Sequence, residues 1–300
     1  MTEAAGAIER DRTLVIQGLE VDTRALKTLA RCTGASAIEA FAENAFRLRG
    51  ASAHDDIATL CAAARLDWAW VPTERRIDRL KLVAFDMDST LITIECIDEL
   101  ADFAGRKAEV SAVTAAAMRG ELDFAQSLRR RVALLAGVPA SALDAVYAER
   151  LRLSPGAEAL VQRLRRLGVT TLLVSGGFTF FTERLRDRLG LDFAHANTLA
   201  LAHGRLTGEL VGPIVDADAK ASEFARRIQA LGLSAPQVLA VGDGANDLKM
   251  LALAGVSVAW RAKPVVQQAA THALNHSGLD GVLALFHPAI DPTTDDVTGG

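Results

Sequence analysis

Short apolar runs alternate with helical stretches over most of this chain, and the alternation limits the fold more than any other feature. Four runs are rich in β-branched residues and have the length of buried strands, at positions 82–85, 169–174, 238–241 and 256–259. The segments between them have the apolar spacing of helices, as at 156–167, 179–189 and 221–231. Strands separated by helices of this length form βαβ units, so we predict an α/β fold with a Rossmann-like parallel sheet.

The interval between the first two runs breaks this alternation. Residues 91–153 lack a strand pattern and are helical in character, notably at 96–103, 108–118, 124–135 and 140–151. We therefore predict a helical cap inserted after the first strand of a core formed by residues 81–90 and 154–286. Because the insertion leaves from the carboxyl end of that strand, it should cover the edge of the sheet where open α/β folds bind ligands.

The two ends of the chain follow other patterns. Residues 1–80 combine a strand-like run at 13–16 with a helix-like segment at 24–32, which Asp22 and Thr23 could cap. These elements predict a small N-terminal α+β module. Residues 287–300 are rich in Pro, Thr and Asp, so we expect a disordered tail.

Charge, hydropathy and cysteine usage exclude several classes of function. The net charge is −4 and the basic residues are scattered, which argues against binding to nucleic acid or to an anionic membrane. No apolar stretch approaches the roughly 18 residues that span a bilayer, and the N-terminus lacks the apolar core of a signal peptide. The three cysteines are widely spaced without a CxxC pair, which is typical of a reducing compartment and predicts a cytoplasmic protein.

Carboxylates follow two of the predicted strands. Asp86 and Asp88 come directly after the first run, and Asp243 comes after the third. Like charges this close raise each other's cost of ionisation unless a cation or a proton intervenes. A lone Asp-x-Asp pair usually lies in a solvated loop, but here a buried strand precedes it and polar residues end two later runs. Mg²⁺ typically takes one or two carboxylates together with water and substrate phosphate. We therefore predict a Mg²⁺ site at this edge of the sheet.

Small and basic residues at the same edge suit a phosphate group. Ser175, Gly176 and Gly177 follow the second run, and such residues let a hydroxyl and backbone N–H groups approach phosphate oxygens. Lys220 stands near the start of a predicted helix and can neutralise a dianion as a point charge. Taken singly, these residues would be an ordinary turn and a surface lysine. Together with the carboxylates they predict a phosphoryl-transfer site.

The order and spacing of these segments resemble those of the haloacid dehalogenase-like phosphatases, and among them those that act on phosphoserine. The matching positions are 86–90, Glu95, 122–132, 174–177, 189–192, 196–197, 206–208, Lys220 and 242–247. The resemblance extends over residues 81–285 and leaves out the first eighty residues and the tail. Met87 stands where the family usually has Phe. We expect this position to point into the core, so that the change matters little.

The resemblance implies a separate catalytic or metal-binding role for each of the acidic residues. Asp86 would be the nucleophile that forms an aspartyl-phosphate, which splits one difficult hydrolysis into two displacements. Asp88 would protonate the leaving serine oxygen and later take a proton from the attacking water. Mg²⁺ would be held by Asp86, by the backbone carbonyl of Asp88 and by Asp243.

The resemblance also implies a set of phosphate-binding residues. Ser175, Gly176 and Lys220 would bind the transferring phosphoryl group, with Gly177 in support. Asp247 would orient Lys220 or a metal-bound water.

The predicted cap carries the residues that would select the substrate. Phosphoserine offers an ammonium, which Glu95 complements, and a carboxylate, which a guanidinium such as Arg131 pairs with bidentately. The two arginines before Arg131 are chemically equal candidates, and only the family motif selects the third. Asn246 would contact the substrate or its phosphate, and Met118 and Phe124 would exclude water when the cap closes.

The implied activity is Mg²⁺-dependent hydrolysis of O-phospho-L-serine to L-serine and phosphate, the final step of serine synthesis. The alternatives are phosphoryl transfer to an alcohol, and hydrolysis of a related phosphorylated amino acid such as phosphothreonine or phosphohomoserine. A non-catalytic sensor of phosphorylated amino acids would be expected to have lost Asp86 or Asp88, and both are present.

The N-terminal module is expected to serve assembly. Longer members of the family often carry an amino-acid-binding domain of the ACT type at this end, and residues 1–80 are too few for two copies. We expect a single degenerate copy that forms a homodimer, with regulation by serine as the alternative. The expected partners are thus a small-molecule substrate and a second copy of the chain.

Overall fold

The computed structural model describes residues 11–289 and divides the chain into two compact units. The first unit contains the residues up to Leu80 and those from Leu274 onward, and the second contains Lys81–Ala273. Within the described part of the chain, no helix is long and apolar enough to cross a membrane.

The first unit is a four-stranded antiparallel sheet with two helices. Its elements are β1 (Arg12–Gln17), α1 (Thr23–Cys32), β2 (Ala37–Ala42), β3 (Ala45–Arg49), α2 (Ile57–Ala63) and β4 (Asp67–Pro72). The strand order β2-β3-β1-β4 with β-α-β-β-α-β connectivity is the ferredoxin-like arrangement. The predicted α+β module is confirmed. Helix α1 begins at the predicted cap, where the Asp22 carboxylate accepts hydrogen bonds from the backbone N–H groups of Arg24 and Ala25.

Residues after 274 also belong to the first unit, which differs from the predicted assignment of residues up to 286 to the core. The buried Asp67 carboxylate accepts hydrogen bonds of 2.8 to 2.9 Å from the backbone N–H groups of Asn275, His276 and Ser277. A 3₁₀ helix, Leu279–Leu285, follows. His287, the first residue of the predicted disordered tail, is buried and its backbone N–H donates to Arg75 at 2.8 Å. The rest of that tail from residue 290 lies outside the described residues.

The second unit is built on a seven-stranded, mostly parallel sheet of order β11-β10-β9-β5-β6-β7-β8. Its strands are β5 (Leu82–Phe85), β6 (Thr170–Phe178), β7 (Phe193–Ala202), β8 (Arg205–Val211), β9 (Val238–Gly242), β10 (Val256–Trp260) and β11 (His272–Leu274). Strand β5 pairs in parallel with β6 and with β9, whereas β7 and β8 form an antiparallel hairpin. The four predicted runs are the central strands, and the predicted α/β fold is confirmed. All of β5 is buried, as expected of a central parallel strand covered on both faces.

Helices α3 to α6 form the insertion between β5 and β6, and five more helices follow. The inserted helices are α3 (Cys96–Phe103), α4 (Lys107–Met118), α5 (Phe124–Ala133) and α6 (Ser141–Ala145). The later ones are α7 (Ala157–Arg166), α8 (Thr179–Leu189), α9 (Ala217–Ala230), α10 (Leu248–Leu251) and α11 (Pro264–Ala269).

The insertion enters and leaves the core side by side. Ile92 and Leu153 form an isolated antiparallel bridge, and the Thr93 N–H donates to the Arg152 carbonyl at 2.9 Å. The helical cap predicted after the first strand is therefore present, joined to the core through two adjacent chain segments.

Candidate active site

A cavity of about 590 Å³ lies at the carboxyl ends of β5, β6 and β9, beneath the cap. Most of the predicted site residues line it: Asp86, Asp88, Glu95, Met118, Phe124, Arg131, Ser175, Gly176, Gly177, Asp243 and Asn246. The other two, Lys220 and Asp247, are wholly buried: Lys220 contacts Asp86, and Asp247 contacts Lys220.

The loop after β5 aims two carboxylates at the cavity and one apolar side chain at the core. Asp86 continues the extended backbone of the strand, and the chain then turns sharply, with Ser89 at a φ of 55°. Met87 is fully buried, as predicted. A Cβ added at Gly177 would lie 2.7 Å from Met87 Cε and 3.0 Å from Asp88 Oδ2. A side chain at 177 would therefore have to displace the ends of the Met87 and Asp88 side chains.

Lys220 connects two of the carboxylates. It lies in the first turn of α9, and its Nζ donates to Asp86 Oδ1 at 2.6 Å and to Asp247 Oδ1 at 2.8 Å. Burial by itself would lower the pKa of Lys220, but Asp247 and Asp86 outweigh it and raise that pKa above its ordinary value. Lys220 is thus a permanent cation held against Asp86.

The carboxylates of Asp243 and Asp247 differ in how many of their oxygens are hydrogen-bonded. Asp243 Oδ1 accepts a hydrogen bond from the Thr90 hydroxyl at 3.0 Å, which leaves its second oxygen for another partner. Asp247 accepts from Lys220 with one oxygen and from the Gly244 N–H, at 3.0 Å, with the other. Burial and Asp247 raise the pKa of Asp243 to about 6.

The acids at this position fit a divalent cation. Oxygens of Asp86, Asp243 and Asp247 lie within 4.8 Å of one another. These three carboxylates face one ammonium, that of Lys220, so two negative charges are left without compensation. Burial, together with Asp247, raises the pKa of Asp86 well above its ordinary value. This shift reflects the same excess of negative charge. A divalent cation would supply the missing charge with the oxygen ligands it prefers.

Asp88 is held apart from this cluster. Its carboxylate accepts hydrogen bonds from the backbone N–H and the thiol of Cys96, while its Oδ1 has no hydrogen-bond partner among residues 11–289. Burial, and next to it the charge of Glu95, raises the pKa of Asp88 to about 8. At neutral pH this carboxyl group therefore mostly carries a proton.

Ser175–Gly177 lie in the last part of β6, where its pairing with β7 is interrupted between Val174 and Phe178. This irregular segment, the Ser175–Gly177 loop, is held by a residue for which the sequence indicated no role. The side-chain amide of Asn197, on β7, donates to the Gly176 carbonyl at 2.8 Å and to that of Gly177 at 3.3 Å. Asn197 Oδ1 accepts from the Val215 N–H at 2.8 Å. The Ser175 hydroxyl accepts from the Gly177 N–H at 2.8 Å. Asn197 therefore links the Ser175–Gly177 loop to the segment that leads into α9.

The cap contributes the remaining wall of the cavity. Glu95 lines it and accepts a hydrogen bond from the Ser89 hydroxyl at 2.7 Å. Arg131 lines it as well, whereas Arg129 and Arg130 are exposed, so the structure brings the third arginine of the run to the site. Phe124 lies against Gly176, where an added Cβ would be 2.9 Å from its Cζ.

Three details in and around the cavity were not anticipated. Met118 lines the cavity but is 70% exposed. Lys263, which precedes α11, also lines it, and its Ala-Lys-Pro context gave no signal in the sequence. Asp98, in the first turn of α3, acts electrostatically on Arg131 although it does not line the cavity.

Comparison with known proteins identifies the family. The model of the haloacid dehalogenase-like hydrolases matches residues 80–255, more than half of the chain. The chain therefore belongs to the haloacid dehalogenase-like hydrolase family. Its sequence is 54% identical over 215 residues to the phosphoserine phosphatase of Polaromonas sp., a match that covers 70% of this chain and 91% of that relative.

Solved structures show the same likeness. An unliganded structure of a probable phosphoserine phosphatase from Vibrio cholerae has a TM-score of 0.81 at 36% identity, covering 92% of this chain and 86% of that one. A phospho-aspartyl intermediate analogue of phosphoserine phosphatase has a TM-score of 0.65 at 37% identity, covering 69% and 99%. In the first unit, the family model of a domain of unknown function (DUF4072) matches the sequence of residues 14–57.

Proposed function

We propose that this chain hydrolyses O-phospho-L-serine to L-serine and phosphate through an aspartyl-phosphate on Asp86, as the final step of serine synthesis. One arrangement carries the proposal. The Asp86 carboxylate, held by Lys220 at 2.6 Å, faces a cavity whose opposite wall presents Glu95 and Arg131. The relatives named phosphoserine phosphatase support the choice of substrate.

Asp86 is placed to act as the nucleophile. Lys220 engages its Oδ1, so its Oδ2 is left to attack phosphorus while the bond from phosphorus to the serine oxygen breaks. Asp88 carries a proton at neutral pH and gives it to the departing oxygen. The resulting Asp88 carboxylate then takes a proton from the water that attacks the phosphoaspartate.

The transferring phosphoryl group needs donors for its equatorial oxygens. Lys220 uses two of its three N–H bonds on Asp86 and Asp247, and the third is available to a phosphate oxygen. Ser175 and Gly176 line the same cavity, so the Ser175 hydroxyl and the Gly176 N–H are the further donors that we expect. Asn197 keeps this loop in place by binding its carbonyls.

We propose Mg²⁺ as the divalent cation, held by Asp86, Asp243 and the backbone carbonyl of Asp88. Both oxygens of Asp247 are already engaged by the protein, so this residue supports Lys220 and the Gly244 backbone. When bound, Mg²⁺ would neutralise charge on the phosphoryl group as it transfers.

The cap would select the amino-acid part of the substrate. Glu95 complements the ammonium and Arg131 the carboxylate, while Asn246 faces the phosphate from the opposite loop. Phe124 would close the site over Gly176 and limit it to small substrates.

Phosphate release from a panel of small phosphate esters, with Mg²⁺ or EDTA, tests the proposal. We expect phosphoserine to lead the panel, EDTA to abolish turnover, and Asp86→Asn to lower kcat at least about a thousandfold. Full activity of that variant would refute the covalent mechanism. A better substrate among phosphothreonine, phosphohomoserine and phosphoethanolamine would refute the assigned substrate. Adding alcohols and comparing phosphorylated alcohol with free phosphate separates hydrolysis from phosphoryl transfer.

Two further points remain proposals. Strand β2 is an edge strand of the first unit and is mostly exposed, with Ile38 40% exposed, so a second copy could pair there as a homodimer. Light scattering with and without serine tests both the dimer and the regulatory alternative.

The three cysteines are free, which supports the cytoplasmic location.

A further inference from the structure

Two half-buried side chains of opposite charge next to the active site each have one buried polar atom without a hydrogen-bond partner among the described residues. Asp98 Oδ1, in the first turn of α3, makes no hydrogen bond within the described part of the chain. The same is true of Arg131 Nε, on α5. Leaving a charged group buried and unpaired costs free energy, so an arrangement that brings the two together is favoured.

The surroundings make Asp98 the natural partner of Arg131. Burial lowers the pKa of Arg131, and Asp98 opposes this more strongly than Glu95 or Asp88 does. Arg131 lines the cavity whereas Asp98 does not, so Asp98 can act on the guanidinium without occupying the space of the ligand. A guanidinium has five N–H donors in a planar fork and can serve two carboxylates along different edges.

We propose that Asp98 is a positioning residue for recognition of the substrate carboxylate. When substrate binds, Asp98 takes the Nε edge of Arg131, and the remaining N–H groups of the fork meet the carboxylate of the ligand. This inference rests on the proposed function, because it assumes a substrate that carries a carboxylate beside its phosphate.

Asp98 also keeps Arg131 away from Glu95. Without Asp98, the ionised carboxylate that acts on Arg131 is that of Glu95, which lines the cavity. Arg131 would then be drawn toward the group that should receive the substrate ammonium. The loss of Asp98 should therefore weaken binding of substrate while leaving the attack of Asp86 intact.

The test compares Asp98→Asn with Asp102→Asn on two substrates. Asp102 lies on the same helix and pairs with the exposed Arg150 at 3.2 Å, so its variant removes the same charge away from the cavity. The substrates are phosphoserine and phosphoethanolamine, which share the phosphate and the ammonium but differ in the carboxylate. We expect Asp98→Asn to raise KM for phosphoserine about tenfold, with kcat within about twofold of wild type. Its kcat/KM for phosphoethanolamine should stay within about twofold, and Asp102→Asn should match wild type on both substrates.

A double-mutant cycle with Arg131→Met shows whether Asp98 acts through Arg131. In the Arg131→Met background, adding Asp98→Asn should change KM for phosphoserine less than about twofold. Equal losses on both substrates, or an undiminished effect in the Arg131→Met background, would overturn the inference. A wild-type enzyme without preference for phosphoserine over phosphoethanolamine would overturn the assigned substrate and the inference together. A preference that stays as large in Asp98→Asn as in the wild type would overturn the inference alone.

Discussion

The Nζ of Lys220 lies 2.6 Å from Oδ1 of Asp86, and both side chains are withdrawn from solvent, that of Lys220 entirely. The contact joins the end of a central strand to the first turn of a helix 134 residues later in the chain. It stabilises the carboxylate form of Asp86 inside the protein, and in the proposed mechanism it leaves Oδ2 of that carboxylate to react. We therefore expect fold stability and catalysis to depend on the same ion pair.

Replacing Lys220 by Met should destabilise the protein and abolish turnover. The change leaves Asp86 and Asp247 buried without their cation, which we expect to lower the free energy of unfolding by about 3 to 5 kcal/mol. Urea denaturation in EDTA measures this without interference from bound metal. Lys249→Met is the control, because the Lys249–Asp218 pair at 2.6 Å is exposed and should contribute below about 1 kcal/mol. Equal effects of the two variants would contradict the role of the buried pair.

Thr90→Val should weaken metal binding more than catalysis. Thr90 is fully buried and its hydroxyl orients Asp243 at 3.0 Å without reaching the cavity. Loss of such a supporting hydrogen bond should raise the Mg²⁺ concentration for half-maximal activity about 10- to 100-fold. At saturating Mg²⁺, kcat should return to nearly the wild-type value. Thr28→Val, which removes an exposed hydroxyl on α1, should leave the Mg²⁺ requirement unchanged.

The first chemical step should slow as the pH rises through about 8. Asp88 must hold a proton to give it to the leaving serine oxygen, and burial and Glu95 raise its pKa to about 8. The proton is bound below this pKa and lost above it, so the rate of aspartyl-phosphate formation falls on the alkaline side. Rapid-quench measurement of a single turnover between pH 6 and about 10 would detect this limb.

Two variants check that this limb belongs to Asp88. Asp88→Asn should be slow at all pH values and lack the alkaline limb. Glu95→Gln removes the neighbouring negative charge, so the limb should move to lower pH. A limb that Glu95→Gln leaves in place would assign the titration to another group.

Asn197→Ala should loosen the phosphate-binding loop. The variant leaves the Gly176 carbonyl and the Val215 N–H without their buried partner, which should cost about 2 kcal/mol of stability. Inhibition by inorganic phosphate should weaken about tenfold, since the loop that binds it is no longer held. The control is Asn44→Ala, which removes an exposed side-chain hydrogen bond of 2.9 Å to Leu19. Unchanged phosphate inhibition in Asn197→Ala would exclude a positioning role for Asn197.

The parts of the site that follow from strand order could be predicted from the sequence. Buried parallel strands appear as continuous apolar runs, and polar residues at their carboxyl ends must meet at one edge. Asp86, Ser175 and Asp243 were found in this way. The cap was predicted for a related reason, since helical spacing replaced strands between two runs that pair with each other in the sheet.

The roles of other residues depend on contacts that no local pattern encodes. Strands β7 and β8 are partly exposed and form an edge hairpin, so they lack the apolar run that identified the central strands. Asn197 lies in a segment that matches the family, but its role follows only from its hydrogen bonds to Gly176 and Gly177. Asp98 looks like an ordinary polar residue until the fold brings its charge to act on Arg131. The hydrogen bonds of Asp67 reach residues more than 200 positions away, which is why the unit boundary near 274 could not be predicted.

The Asp67 contacts have a consequence for synthesis on the ribosome. Asp67 has to wait for its donors until the chain has been made as far as Ser277, whereas every residue of the continuous unit Lys81–Ala273 is made before them. The catalytic unit therefore needs no residue beyond Ala273, whereas the ferredoxin-like unit draws on segments from both sides of it in the sequence. A nascent chain halted before residue 275 would contain every residue of the catalytic unit, while the Asp67 carboxylate would still lack its backbone donors.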